Sequence, residues 1–279
     1  MLHLTFWENC VLWVTGRKER IEYHHNLTEI HMENQETTAS QGSLGDYIIN
    51  VFSAPGEAFS EVGTSAKKGR FWVPTYLLTI LFAIAFTFVM FSNEALKDQI
   101  MEAQEKAIQE RVDSASMTQE QADRQIEGMR GMGGLFIVFG SIGAVIMITV
   151  YFFGAALVLW LIGKLLLKSA LPYSAYLATY GLAAWIGILG AIVTALMILG
   201  FESVYATPGL ALTILQEFDP TNRTHLLLSK VEIFGIWQAL VLGIGLGKVT
   251  QKSVGTGVTV AAVLWLVWTL ISVLIRSPF

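Results

Sequence analysis

Residues 71–92 read FWVPTYLLTILFAIAFTFVMFS, a run without a charged side chain. A helix needs about 20 such residues to cross the ~30 Å hydrocarbon core of a bilayer. The run is rich in β-branched and aromatic residues, which are weak helix formers in water. Hydrocarbon still favours a helix, because every backbone polar group must find its hydrogen bond within the segment. The run therefore predicts a transmembrane helix.

Four further apolar runs follow the first. They cover residues 134–163, 171–200, about 233–247 and 254–275. The run at 233–247, the fourth of the five, is the shortest. The composition agrees, since 53% of the residues are hydrophobic and only 14% are charged. We therefore expect an all-α fold, a polytopic membrane helix bundle with five transmembrane helices.

The positions of the basic residues indicate the orientation. They concentrate before the first run and in the short connections after the second and fourth: Lys67, Lys68, Arg70, Lys164, Lys168, Lys248 and Lys252. The connection 93–130 instead holds nine acidic residues against five basic ones. Because basic connections tend to stay in the cytoplasm, we expect a cytoplasmic N-terminus and an outer C-terminus.

The outer connection 93–130 has the pattern of a helical hairpin. Leu96, Ile100 and Ala103 recur at helical spacing, and Thr118 with Gln121 matches a capping box at the start of a second helix. The sequence therefore predicts an extracytoplasmic hairpin of two short helices.

Three segments precede or include the spans. We expect 67–279 to be the five-span membrane domain and 44–66 to form amphipathic helices in the cytoplasmic interface. Residues 1–43 are expected to be disordered or a mis-annotated extension. The stretch 33–43 is polar and cannot bury a core. The residues before it lack a signal-peptide pattern, so we expect Met32 to be the native start.

The sequence argues against enzymatic chemistry. Histidines occur only at positions 3, 24, 25, 31 and 225, so no run supplies an imidazole base, and no Asp or Glu lies inside a run. The one cysteine, Cys10, excludes an internal disulfide. We expect no enzyme activity, no catalytic, cofactor-binding or metal-binding residues and no cofactor. A net charge of −4 also makes nucleic acid an unexpected partner.

Small residues are spaced for helix packing. Gly140 with Ala144, Gly187 with Ala191, and Gly243 with Gly247 form small-xxx-small pairs. These faces are expected to contact neighbouring helices, within the chain, in a homo-oligomer or on a protein partner. The lipid bilayer is the other expected partner.

Several stretches together resemble a known family. They are FSAPGEAF before the first run, FWVP at its start, LIGKLLLKSALPYSAYLATYGLAAW between the second and third, and EIFGIWQALVLGIGLGKVT at the fourth. From about residue 49 onward the chain resembles bacterial members of the Yip family, whose domain is shared with eukaryotic proteins that interact with Ypt/Rab GTPases. The resemblance implies five spans with a cytoplasmic N-terminus, and insertion in the cell membrane of a bacterium.

The chain departs from the eukaryotic pattern. Those members carry an Asp-Leu-Tyr-Gly-Pro motif before the first span and a Gly-Tyr motif near the third, whereas this chain has only Ala54-Pro55-Gly56 and the reversed Tyr180-Gly181. We therefore do not expect this chain to bind Rab GTPases on the basis of the resemblance.

Two functions fit the sequence. The first is a non-enzymatic membrane protein that organises the membrane or protein partners. The alternative is a small-solute or ion transporter or channel, with a polar lining of Ser141, Tyr173, Thr194 and Gln238. Glu232, beside Lys230 at the start of the fourth run, is interpreted as an interface anchor.

Overall fold

A computed structural model describes residues 42–131 and 134–275. All elements named below belong to one compact unit that begins at Leu44. The predictions for residues 1–41, including the start at Met32, lie outside the described residues.

The described chain is helical, as its apolar runs predict. Its elements are α1 (Leu44–Ser53), α2 (Pro55–Ala58), α3 (Gly69–Ser92), α4 (Glu94–Asp113), α5 (Gln119–Gly131), α6 (Leu135–Leu165), α7 (Tyr173–Phe201), a 3-10 helix (Leu210–Glu217), α8 (Arg223–Lys230), α9 (Ile233–Val249) and α10 (Val254–Leu274). Four of them, α3, α6, α7 and α10, are long and apolar enough to cross a membrane. The fourth run forms only the 17-residue helix α9, which is shorter than these four. The all-α fold class is confirmed.

Helix α7 is the centre of the bundle. Helices α1, α3, α6 and α9 all pack against it, and most of its first half is buried. Gly181 allows α3 to approach, since a Cβ at this position would lie 2.3 Å from the Trp72 Cβ. Small residues therefore let the neighbouring backbones reach α7.

The N-terminal helices α1 and α2 cover one end of this bundle. Tyr47, Val51 and Phe59 are buried in one cluster with residues of α3, α7 and α9. The Phe59 ring lies on Gly245, where an added Cβ would stand 2.8 Å away from it. The predicted apolar side is thus buried against protein, and the interfacial position of residues 44–66 stays a prediction.

Helices α9 and α10 pack antiparallel through glycines. A Cβ added at Gly257 would lie 2.1 Å from the Gly243 carbonyl oxygen and 2.5 Å from the Gly247 nitrogen. The predicted Gly243 and Gly247 pair therefore makes its close contact inside the chain.

The predicted hairpin consists of α4 and α5. Asn93 caps α4 by accepting a hydrogen bond from the Leu96 N–H at 3.2 Å. The capping box is present in both directions: the Gln121 N–H donates to Thr118 Oγ1 at 3.3 Å and the Thr118 N–H to Gln121 Oε1 at 3.0 Å. Arg130 on α5 pairs with Glu105 on α4, so the two helices are joined.

The Gly257→Ala substitution should separate α9 from α10. Overpacking of this kind costs about 1–3 kcal/mol, so we expect a lower midpoint of thermal unfolding for the detergent-solubilised protein. The matched control is Gly255→Ala, whose Cβ would meet only Ser253 Oγ at 3.9 Å. Equal midpoints for the two variants would contradict this packing.

Candidate functional site

A cleft lies where α3 and α9 pack against α7. Its volume is about 420 Å³. We call it the α7 cleft, and its lining residues come from these three helices and the segment before α9: Phe82, Phe86, Gly187, Gly190, Ala191, Thr194, Ala195, Thr207, Glu232, Phe234, Gly235 and Gln238. Helix α7 supplies the floor of the cleft, and α3 and α9 supply its walls.

The floor of the cleft consists of small residues. A Cβ at Gly190 would lie 2.7 Å from the Phe234 Cβ, and one at Gly187 would lie 2.6 Å from Gln238 Oε1. These two glycines therefore set how closely α9 approaches α7. The opposite wall is aromatic, since the Phe82 and Phe86 rings stack with centroids 6.0 Å apart.

Four polar side chains face this apolar space: Thr194, Thr207, Glu232 and Gln238. None of them makes a side-chain hydrogen bond or ion pair with a residue in 42–131 or 134–275. The Thr207 hydroxyl oxygen is buried. A buried polar group without a partner costs about 1–3 kcal/mol, so this lining is suited to a polar ligand.

Glu232 is held in place by backbone pairing. It forms an isolated antiparallel bridge with Gly209, the Leu210 N–H donates to the Val231 carbonyl at 3.1 Å, and the Ile233 N–H donates to the Pro208 carbonyl at 3.3 Å. This pairing gives the Ile233 N–H, the first of α9, a hydrogen-bond acceptor from the protein. It also carries Thr207 and the Glu232 carboxyl to the same end of the cleft.

Burial changes the proton affinity of the charged groups at this end. Desolvation raises the pKa of the Glu232 carboxyl, and the charge of Lys230 opposes the shift. Desolvation likewise lowers the pKa of the Lys230 ammonium, opposed by Glu232. The two groups influence each other without an ion pair, so the carboxylate can accept hydrogen bonds from another cation.

The segment 202–232 and the α4–α5 hairpin form a cap over this end. The Gln99 amide binds both sides of the α7 terminus, donating to the Glu202 carbonyl at 2.8 Å and accepting from the Val204 N–H at 3.1 Å. Lys106 pairs with Asp219 at 3.1 Å. The Thr221 backbone N–H, the Thr221 hydroxyl and Lys106 lower the pKa of Asp219 to about 2. The hairpin and the segment 202–232 are therefore joined by side-chain contacts.

The structure brings together only part of the predicted polar lining. Thr194 and Gln238 both line the cleft, whereas Ser141 and Tyr173 do not. The Tyr173 hydroxyl instead donates to the Phe153 carbonyl at 3.0 Å, joining α7 to α6. Glu232, interpreted from sequence as an interface anchor, faces the cleft. Thr207 had no sequence signal, because it lies in the loop after the third run.

The lining is suited to binding. It contains one carboxyl, one amide and two hydroxyls, without a nucleophile beside a base. In the part of the chain that the structure describes, no three potential metal ligands come together. Absence of enzyme activity stays a prediction.

The family resemblance agrees with an independent comparison. A family model described as Yip1 domain matches residues 49–275, which covers most of the 279-residue chain. Comparisons with curated proteins and with solved structures gave no match.

The Glu232→Gln substitution should stabilise the delipidated protein at pH 7.5. Because burial raises the pKa of Glu232 above its ordinary value of 4.5, the ionised carboxylate destabilises the folded state above the raised pKa and has no such effect below 4.5. The gain in the unfolding midpoint of Glu232→Gln over the wild type should therefore vanish as the pH falls to about 4.5. Glu217→Gln, an exposed acid of the same cap, should show no gain. A loss of stability in Glu232→Gln at pH 7.5 would contradict the shift.

Proposed function

We propose that this chain, which belongs to the Yip1 domain family, is a non-enzymatic five-span protein of a bacterial cell membrane that organises lipid or protein partners. The α7 cleft carries the proposal, because its polar groups lack partners among the described residues and lie against apolar walls. Such a surface is suited to holding a membrane component.

The five-span topology is supported by the alternation of the helices. Helix α9 starts at the cap and ends beside α2, where an ideal Cβ at Gly56 would stand 3.5 Å from Lys248 Cε. Its 17 residues span about 25 Å, and the backbone pairing of 207–210 extends its outer end. Helix α10 then returns antiparallel to it.

The proposed orientation is supported by the separation of charge. Arg70 stacks over Tyr47 at 4.8 Å, and Lys248 approaches α2 at the same end of the bundle. The hairpin with its nine acidic residues belongs to the opposite end. The positive-inside rule then places α1 and α2 in the cytoplasm.

The alternative is a small-solute or ion transporter or channel. Thr194 and Gln238 favour it, since both predicted lining residues face one cleft. The organising role is preferred because Ser141 and Tyr173 lie outside this cleft, which leaves the predicted polar lining incomplete.

Cysteine labelling tests the topology. In a Cys10→Ser background, single cysteines at the exposed positions Ser116 and Gln216 should react with a membrane-impermeant maleimide in intact cells. Cysteines at the exposed positions Ser60 and Lys252 should react only after permeabilisation. If positions 216 and 252 react from the same side, α9 does not cross the membrane.

A flux assay in proteoliposomes separates the two functions. We expect no solute or ion flux above empty vesicles, together with specific partners recovered by crosslinking in native membranes. Reproducible flux that disappears in Gln238→Ala would support the transporter and contradict the organising role. A variant at Gln109, an exposed residue of α4, is the control for nonspecific effects.

A further inference from the structure

We propose that the α7 cleft binds one bilayer phospholipid by its primary ammonium headgroup, with Glu232 as the anionic partner and the aromatic walls against the acyl chain. The inference deepens the proposed function and rests on it, because the cleft must lie beside lipid. It names the membrane component that the site selects.

The cleft has a charged end and an apolar middle. Because α9 runs antiparallel to α7, Phe234 lies opposite Gly190 and Gln238 opposite Gly187. Glu232 therefore stands at the cap end, and Gln238 follows about 9 Å deeper along the helix. Phe234 lies between these levels, and Phe82 and Phe86 line the facing wall. An amphiphile with its headgroup toward the cap matches this order.

The polar lining selects a donor-bearing cation. The Glu232 carboxylate and the hydroxyl oxygens of Thr194 and Thr207 are hydrogen-bond acceptors at the charged end. Lys230 lies outside ion-pairing distance, since no salt bridge joins it to Glu232 within the described residues. A primary ammonium carries three N–H donors and one positive charge, whereas a choline group has the charge without the donors. One carboxylate is too few for a calcium site.

The cleft is open on its side. Gly187, Ala191 and Thr194 stay partly exposed although they lie on the most buried helix. Helices α3 and α9 both pack on α7 but barely contact each other within the described residues, which leaves the space between them for an acyl chain. A ligand can therefore enter laterally from the bilayer.

Native mass spectrometry tests this binding. The full-length protein is reconstituted with equal amounts of phosphatidylethanolamine, phosphatidylcholine and phosphatidylglycerol, and the retained lipid is identified. We expect about tenfold preference for phosphatidylethanolamine over phosphatidylcholine, which corresponds to one charge-assisted hydrogen bond. Glu232→Gln should reduce the preference to near one, and Glu217→Gln should keep it.

Three outcomes would overturn the proposal. Equal retention of the three lipids by the wild type would remove the headgroup selectivity. Displacement of bound lipid by millimolar free ethanolamine would assign the site to a soluble amine, and crosslinks between cysteines in the clefts of two chains would assign it to a second copy. Failure of the proposed function is distinguishable, since cysteine labelling and flux report on topology and transport independently of retained lipid.

Discussion

The structure depends on close backbone contact at small residues. Between helices in a bilayer, lipid is as apolar as a leucine side chain, so association relies on van der Waals contact and interhelical hydrogen bonds. Gly181, Gly190 and Gly257 each stand where an added Cβ would come within 3 Å of a neighbouring helix. These positions determine which faces of α3, α7, α9 and α10 meet.

The α7 cleft is a direct consequence of this packing. Gly187 and Gly190 bring α9 onto the middle of α7, and Gly181 brings α3 onto the same helix nearer its N-terminus. The two helices therefore approach a common floor and leave space above it. The floor residues are too small to fill that space, and the large Phe82, Phe86 and Phe234 rings line its sides.

The short helix α9 explains the irregular segment beside it. In the proposed five-span topology, α9 with its 17 residues is about one turn shorter than the hydrocarbon core requires. The loop 207–210 pairs with residues 231–233, so the non-helical backbone finds protein partners, as an apolar environment demands. The same pairing brings Thr207 and Glu232 together. The proposed binding site and the start of α9 thus share one structural cause.

Sequence alone was sufficient for the long apolar helices, for the α4–α5 hairpin and for half of the predicted lining, whereas the 3-10 helix and α8 were not predicted. Apolar runs free of charge specified the helices because backbone hydrogen bonding within each run is a local property, and the Thr118–Gln121 capping box was readable because both residues lie within one turn. Thr194 and Gln238 were selected as polar residues in apolar helices, and they do share a cleft. Tertiary structure decided that Tyr173 binds the Phe153 carbonyl instead, that α7 is central, and that Thr207 and Glu232 meet. Those outcomes depend on which helix faces touch, and contacts between residues distant along the chain leave no periodic signal in the sequence.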